Sequence, residues 1–290
     1  MAEAEAVQPT ASATPDPPPA TRPIERGRQL PWAQIAVTLE IVFIIVVWQF
    51  LQGNLEIVNK IFLPAPSEIA ETLVAMLQPG FEVVRNTPGD VYTHIGASVY
   101  RFFTAFLLAS VSGIALGLLI GGWFPAQKLI APFVWALYAM PLIAIRPMTT
   151  WWFGFGDNPI IFLVFLAALL PITLNTAAGV STVDPVLKKT AKVFGASKLQ
   201  TYRTVVLPST VPFILTGLRL GIIIGWIILL ISEFLGASRG FGQLLAVGQS
   251  RFKPDIVFAT IVIIVLLSVS SVRIIGIFED RVSSWRPQQD

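Results

Sequence analysis

The sequence predicts an all-α polytopic membrane protein with six transmembrane helices, on three observations. Of its 290 residues, 54% are hydrophobic and 13% charged, where a water-soluble domain has roughly a quarter of its residues charged. Its mean hydropathy is +0.72. Its apolar residues fall in long uncharged runs, each close to the roughly 20 residues that cross about 30 Å of hydrocarbon. The runs lack the alternation of barrel strands, and a spanning segment must satisfy its backbone internally, so they are helices.

In chain order, residues 1–30 are rich in Ala, Pro and Thr and lack the apolar core of a signal peptide. They read as a disordered tail. Spans are expected at 32–51, 98–121, 129–150, 159–180, 211–232 and 256–276, which together make a transmembrane domain over 31–280, followed by a short tail at 281–290. Between the first two spans, "LPAPSEIAETLVAML" offers Ser67 as an N-cap and sets Ile69, Leu73 and Met76 at helical spacing. It reads as an interfacial helix that either binds the membrane surface or packs on the bundle.

The net charge of +3 reports orientation rather than nucleic-acid binding, because Lys and Arg collect in cytoplasmic loops. Arg22, Arg26 and Arg28 precede the first span, a basic stretch separates the fourth from the fifth, and Arg281 and Arg286 follow the sixth. Six crossings put all three groups, and both termini, in the cytoplasm. Arg239, Arg251 and Lys253 fall on the opposite side, so the rule holds only in the majority. The chain has no Cys and a single His, His94, which excludes disulfides, thiolate sites and His-cluster metal centres. It carries no G-x-x-x-x-G-K-[ST] loop to cradle ATP phosphates. No catalytic residue, metal or cofactor is expected, and no similarity joins the two halves of the bundle, against a secondary transporter built from inverted repeats.

The basic stretch is "KKTAKVFGASKLQTYRTVVLP", 188–208. Upstream, Asp184 can cap a helix whose first residue is Pro185. Leu187, Ala191 and Phe194 then share a face, Lys188, Lys189 and Lys192 lie elsewhere, and Gly195 suits the left-handed residue that closes a helix. Ser197 and Gln200 form an S-x-x-Q capping box for a second helix, with Leu199, Tyr202 and Val206 on one side. Pro208 is expected to end that helix before the fifth span. Two helices this short need a surface to pack on, either the bundle and its anionic lipid or a groove on a cytoplasmic partner.

Charge in or beside the apolar spans is singled out at four places. Glu40, mid-way along the first span, is expected to face protein, as a structural ion-pair partner or as a substrate contact on the pathway. Arg219 can snorkel toward the cytoplasmic headgroups. Arg146 stands between Pro141 and Pro147, which loosen the helix; it can hold an anionic substrate group in bidentate fashion, or serve the span end or a lipid phosphate. Glu233 and Arg239 form a pair where the fifth span leaves the membrane, and Gly236, Gly240 and Gly242 permit an irregular backbone there, so the region is read as an outer gate, with an ordinary re-entrant loop that does not gate as the alternative.

On these residues the chain resembles a family, the permease subunits of binding-protein-dependent ABC importers. Their cytoplasmic motif is E-A-A, three residues, Gly, nine residues, then I-x-L-P. Lys189, Thr190 and Ala191, then Gly195, then Val205, Leu207 and Pro208 stand at its positions, with Lys189 in place of Glu and Thr190 in place of Ala. "WWFGFGDNP", "LPITLNTAAGVSTVDP", "LPSTVPFILTGLRLG" and "SEFLGASRGFGQLL" are similar to the nitrate, sulfonate and taurine branch, and Arg146 falls where that branch normally has an apolar residue. The resemblance implies the type I importer permease fold and a second permease copy. It also implies cytoplasmic ABC ATPase subunits, an extracytoplasmic substrate-binding protein, and a bacterial inner membrane location. Lys188, Lys189, Thr190, Ala191, Phe194, Gly195, Ala196, Ser197, Leu207 and Pro208 would couple to the ATPase. The cargo it implies is a small anion, or, in similar permeases, a thiamine-precursor pyrimidine or other heterocycle.

Overall fold

In the computed structural model, which describes residues 31–55, 57–78 and 89–282, helix follows helix and the described residues contain no strand. The expected tail at 1–30 lies outside the described residues, and of the tail expected at 281–290 the first two residues still belong to the last helix while 283–290 lie outside the described residues. The elements are α1 (Pro31–Gln49), α2 (Pro66–Met76), α3 (Val91–Gly122), α4 (Phe124–Leu129), α5 (Ala131–Ala139) and α6 (Arg146–Phe153). After them come α7 (Asn158–Ser181), α8 (Pro185–Val193), α9 (Lys198–Thr201), α10 (Leu207–Phe234), α11 (Phe241–Ser250) and α12 (Pro254–Val282). Among the described residues five helices are long and apolar enough to cross a membrane, and a sixth span results if the bent pair around residue 140 counts as one.

Packing centres on α3, α7 and α10. Gly113, Gly117 and Gly121 line one face of α3, and a Cβ added at Gly117 would lie 2.4 Å from the Thr176 Cβ and 2.7 Å from the Thr173 carbonyl oxygen. Gly113 and Gly121 meet Ile172 and Val180 in the same way, while Gly217 and Gly221 of α10 meet Ile172 from the other side. In lipid no hydrophobic force joins helices, so close backbone approach between small residues does this work. Toward one end, Phe102 stacks on Trp226 with centroids 4.3 Å apart.

Three expectations need correction. The third span is not one rod: Phe124–Ala139 and Leu142–Phe153 meet at 87°, because Pro141 removes a backbone donor and Met140 before it is extended, at ψ 135°, while Pro147 lies in the first turn of α6, where no donor is needed. Pro208 does not end the second elbow helix either. The chain stays helical from Lys198 to Phe234 through a π-helical turn at Tyr202–Val206, a wide turn that relieves the clash between a proline ring and the carbonyl four residues earlier. Ser67 is not the N-cap of α2. That role falls to Ala65, whose N–H donates to Glu68 Oε2 at 3.1 Å, while Ser67 bonds Gln49 through both its N–H and its hydroxyl. Ile69 and Met76 of α2 are buried in the main core, so this helix packs on the bundle.

The first span is long enough to cross, and it leans on the rest near its end, through Gln49 and a ring contact between Trp48 and Phe258 at 6.0 Å. Glu40 is exposed, not turned to the bundle as expected. A helix that is apolar all round has no inner face to prefer.

Candidate functional site

At one end of the bundle the basic stretch forms a rigid elbow. Asp184 Oδ1 accepts from the Val186 N–H at 2.7 Å, with Pro185 in the first turn of α8. The helix closes in a Schellman motif: Gly195 has φ +79°, its N–H donates to the Lys192 carbonyl at 3.0 Å, and the Ala196 N–H donates to the Ala191 carbonyl at 3.0 Å. Ser197 Oγ accepts from the Gln200 N–H at 3.2 Å, so the serine half of the capping box forms.

The elbow rests on the bundle at its base. Tyr202 donates its hydroxyl proton to the Leu118 carbonyl at 2.9 Å, and Val206 packs with Val180 and Val183. Its tip is uncovered: Phe194 is 85% exposed and Val193 84%, with Leu187, Lys189, Thr190, Lys192 and Ser197 also exposed. Lys188, Ala191, Ala196, Leu207 and Pro208 are half-buried. Of the two surfaces expected to receive the Phe194 ridge, this chain's own bundle does not.

At the other end lies a buried ion cluster. Glu233 is 0% exposed. It accepts from Arg101 Nη1 at 2.7 Å, from Ser98 Oγ at 2.8 Å and from the Gly242 N–H at 3.0 Å. Arg101 also donates from Nε and Nη2 to Asp157 Oδ1 at 2.8 and 2.6 Å, and from Nη1 to the Arg239 carbonyl at 2.6 Å. The expected pairing of Glu233 with Arg239 is thus corrected: Arg239 gives its carbonyl while its residue is exposed, and Arg101 supplies the cation. Arg101 and Asp157 escaped the sequence reading because they come from remote elements. Arg101 had one visible sign, an arginine inside an apolar run.

The cluster also satisfies the irregular backbone between α10 and α11. Its N–H groups at 240, 241 and 242 donate to His94 Nδ1 at 3.1 Å, Ser98 Oγ at 2.9 Å and Glu233 Oε2 at 3.0 Å. Buried N–H groups must find partners, and here side chains of the first three turns of α3 provide two of the three. Gly240, at φ +119°, leaves no room for a Cβ, which would lie 2.4 Å from the Glu233 carboxylate. Gly236, at φ +139°, turns the chain in the open.

Arg146 opens α6 just after the break in the third span and is 7% exposed. Its Nε donates to the Ser232 carbonyl at 3.4 Å and its Nη1 to Thr150 Oγ1. It therefore sits beside the Glu233 turn, and Glu40 joins neither group. Among the described residues no cluster of His, Cys, Asp and Glu fits a metal ion.

The model for binding-protein-dependent transport system inner membrane components matches residues 109–284. The taurine transport system permease protein TauC of Escherichia coli is 29% identical over 248 residues, 83% of this chain and 88% of TauC. The formylaminopyrimidine transport permease protein ThiX of Halalkalibacterium halodurans is 27% identical over 87% of this chain and 96% of its own length. Among solved structures, a chain of the MetNI methionine ABC transporter in an inward-facing conformation superposes with a TM-score of 0.55 at 18% identity, covering 68% of this chain and 96% of that one. The shared fold is that of ABC importer permeases.

Proposed function

We propose, since this chain belongs to the family of binding-protein-dependent transport system inner membrane components, that it is the permease subunit of an ATP-driven importer for a small anion of the sulfonate, taurine or nitrate kind. Two copies form the path across a bacterial inner membrane, with both termini in the cytoplasm. Separate ATPase subunits hold the elbow and carry out hydrolysis, and an extracytoplasmic binding protein delivers cargo at the end where the ion cluster lies. The chain itself has no catalytic role.

One observation carries the reading: a capped elbow helix with an exposed Phe194 turns at Gly195 into a helix that runs without a break from Lys198 to Phe234, into the residues of the ion cluster. A rod of 37 residues at about 1.5 Å per residue is roughly 55 Å long. Movement of the elbow by an ATPase therefore reaches Glu233, and rigid-body rocking of the bundles follows. Lys188, Lys189 and Lys192 rim the contact.

Reconstitution in liposomes with the cognate ATPase and binding protein tests this. Uptake is expected only with ATP, the ATPase and the receptor together, and uptake driven by an ion gradient alone would sink the proposal. A receptor that binds a formylaminopyrimidine instead of an anion would keep the machinery and change the cargo.

A further inference from the structure

Two arginines are buried among the described residues, and the fold treats them in opposite ways. Arg101 has two carboxylates, at 2.6 and 2.7 Å. Arg146 has no carboxylate within ion-pair distance among the described residues; its bonds go to a carbonyl and a hydroxyl, and the charge acting on it is Arg101, of the same sign. An uncompensated buried cation is costly, so its retention calls for a ligand that supplies the missing charge.

The geometry leaves a place for one. Among the described residues Arg146 Nη2 donates no hydrogen bond, yet it is not a fully buried atom left without a partner, so it lies on the small open side of the residue. This opening stands at the 87° break in the third span. There α6 begins, and its N-terminal end adds a partial positive charge. Half-helices broken inside a membrane place such ends against anionic cargo in transporters.

We propose that Arg146 is a cargo-binding residue: its Nη2 edge, with the Thr150 hydroxyl beside it, takes the charged oxygens of a small oxyanion as it passes the bend. The inference rests on the function proposed above and narrows its cargo to compounds bearing a sulfonate, nitrate or carboxylate group. A guanidinium fork matches such oxygens in pairs. A phospholipid phosphate offers the same chemistry from another source, and the test separates the two.

The test uses the permease–ATPase complex in dodecyl maltoside without the binding protein, titrated calorimetrically with ethanesulfonate and with its neutral analogue ethyl methyl sulfone. The wild type should bind the sulfonate and not the sulfone. Arg146→Met should weaken sulfonate binding by roughly tenfold or more, and Arg146→Lys by less, because lysine keeps the charge without the fork. If Arg146→Met fails to fold, Arg146→Lys and Thr150→Val carry the comparison, each expected to weaken the sulfonate and leave the sulfone unbound. The inference is overturned by a wild type that ignores ethanesulfonate, by equal affinity for the sulfone, by unchanged binding in the variants that fold, or by phosphatidylglycerol displacing the sulfonate at lower concentration than free ethanesulfonate does. Uptake assays of the complete importer separate the two levels. Uptake of a neutral cargo alone would refute the anion reading itself, whereas wild-type anion uptake in Arg146→Met would refute only the role of Arg146.

Discussion

A carboxylate can remain fully buried in Glu233 because donors converge on it from three sources: the Arg101 guanidinium, the Ser98 hydroxyl and the Gly242 amide. Removing one partner of such a pair strands the other charge, which costs about 3–5 kcal/mol. Arg101→Met and Glu233→Ala should each destabilise the detergent-solubilised protein by about that much, seen as a lower thermal unfolding midpoint. Asp157 binds the same arginine, but its side chain is 48% exposed, and exposed ion pairs contribute roughly 0–1 kcal/mol. Asp157→Asn should therefore cost far less than either, and equal losses at Asp157 and Glu233 would show that burial does not set the ranking. Sequence patterns cannot pick Arg101 as the partner of Glu233, since 132 positions separate the two. Arg239, six residues from Glu233, looks the better choice until the turn points its side chain outward.

Among the elements, α3 and α7 depend on contact without side chains. At Gly117 even a methyl group meets Thr176 and the backbone at Thr173, and overpacking of this kind costs about 1–3 kcal/mol. Gly117→Ala should reduce thermal stability by that much, and a neutral result would mean that the helices are free to separate. At the elbow, nothing crowds Gly195, so Gly195→Ala carries only the strain of a left-handed residue, about 1–2 kcal/mol, and should retain transport. Gly195→Pro cannot adopt φ +79° and loses the bond to Lys192, so it should abolish ATP-coupled uptake while the protein still inserts.

At α2 the Ala65 N–H, and after it Lys60, hold the Glu68 carboxyl below its ordinary value. A depressed folded value means that the contribution is present above the unfolded pKa and is lost as pH falls through the folded one. Amide exchange at the first turn of α2 should accordingly quicken under acid conditions below the ordinary carboxylate range, and Glu68→Gln should remove that dependence.

Across the whole molecule, one continuous helix links the elbow to the ion cluster, and its weak point is the π-helical turn at Tyr202–Val206. Two glycines inserted after Thr204 should uncouple the ends: ATP hydrolysis by the assembled complex persists while uptake falls to background. If hydrolysis and uptake stay in step, force does not travel along this rod. The first span, exposed over nearly its whole length, fits a bundle completed by a second copy, and native mass spectrometry of the complex should find two copies of this chain.

Hydropathy alone determined that the chain is all-α and placed its long apolar helices, because every span must close its own backbone bonds in lipid. Local chemistry likewise determined the elbow, where Asp184, Pro185, Gly195 and Ser197 act within a few residues of one another. The spacing 113, 117, 121 was also present in the sequence, but a window that averages hydropathy does not register it. Only the tertiary structure decided which buried charges meet, that the third span bends and that the fifth begins as the elbow itself. Pairings between α3, the loop before α7 and the turn after α10 depend on how the helices rotate against one another, and that is set by packing distances rather than by any neighbour in the chain.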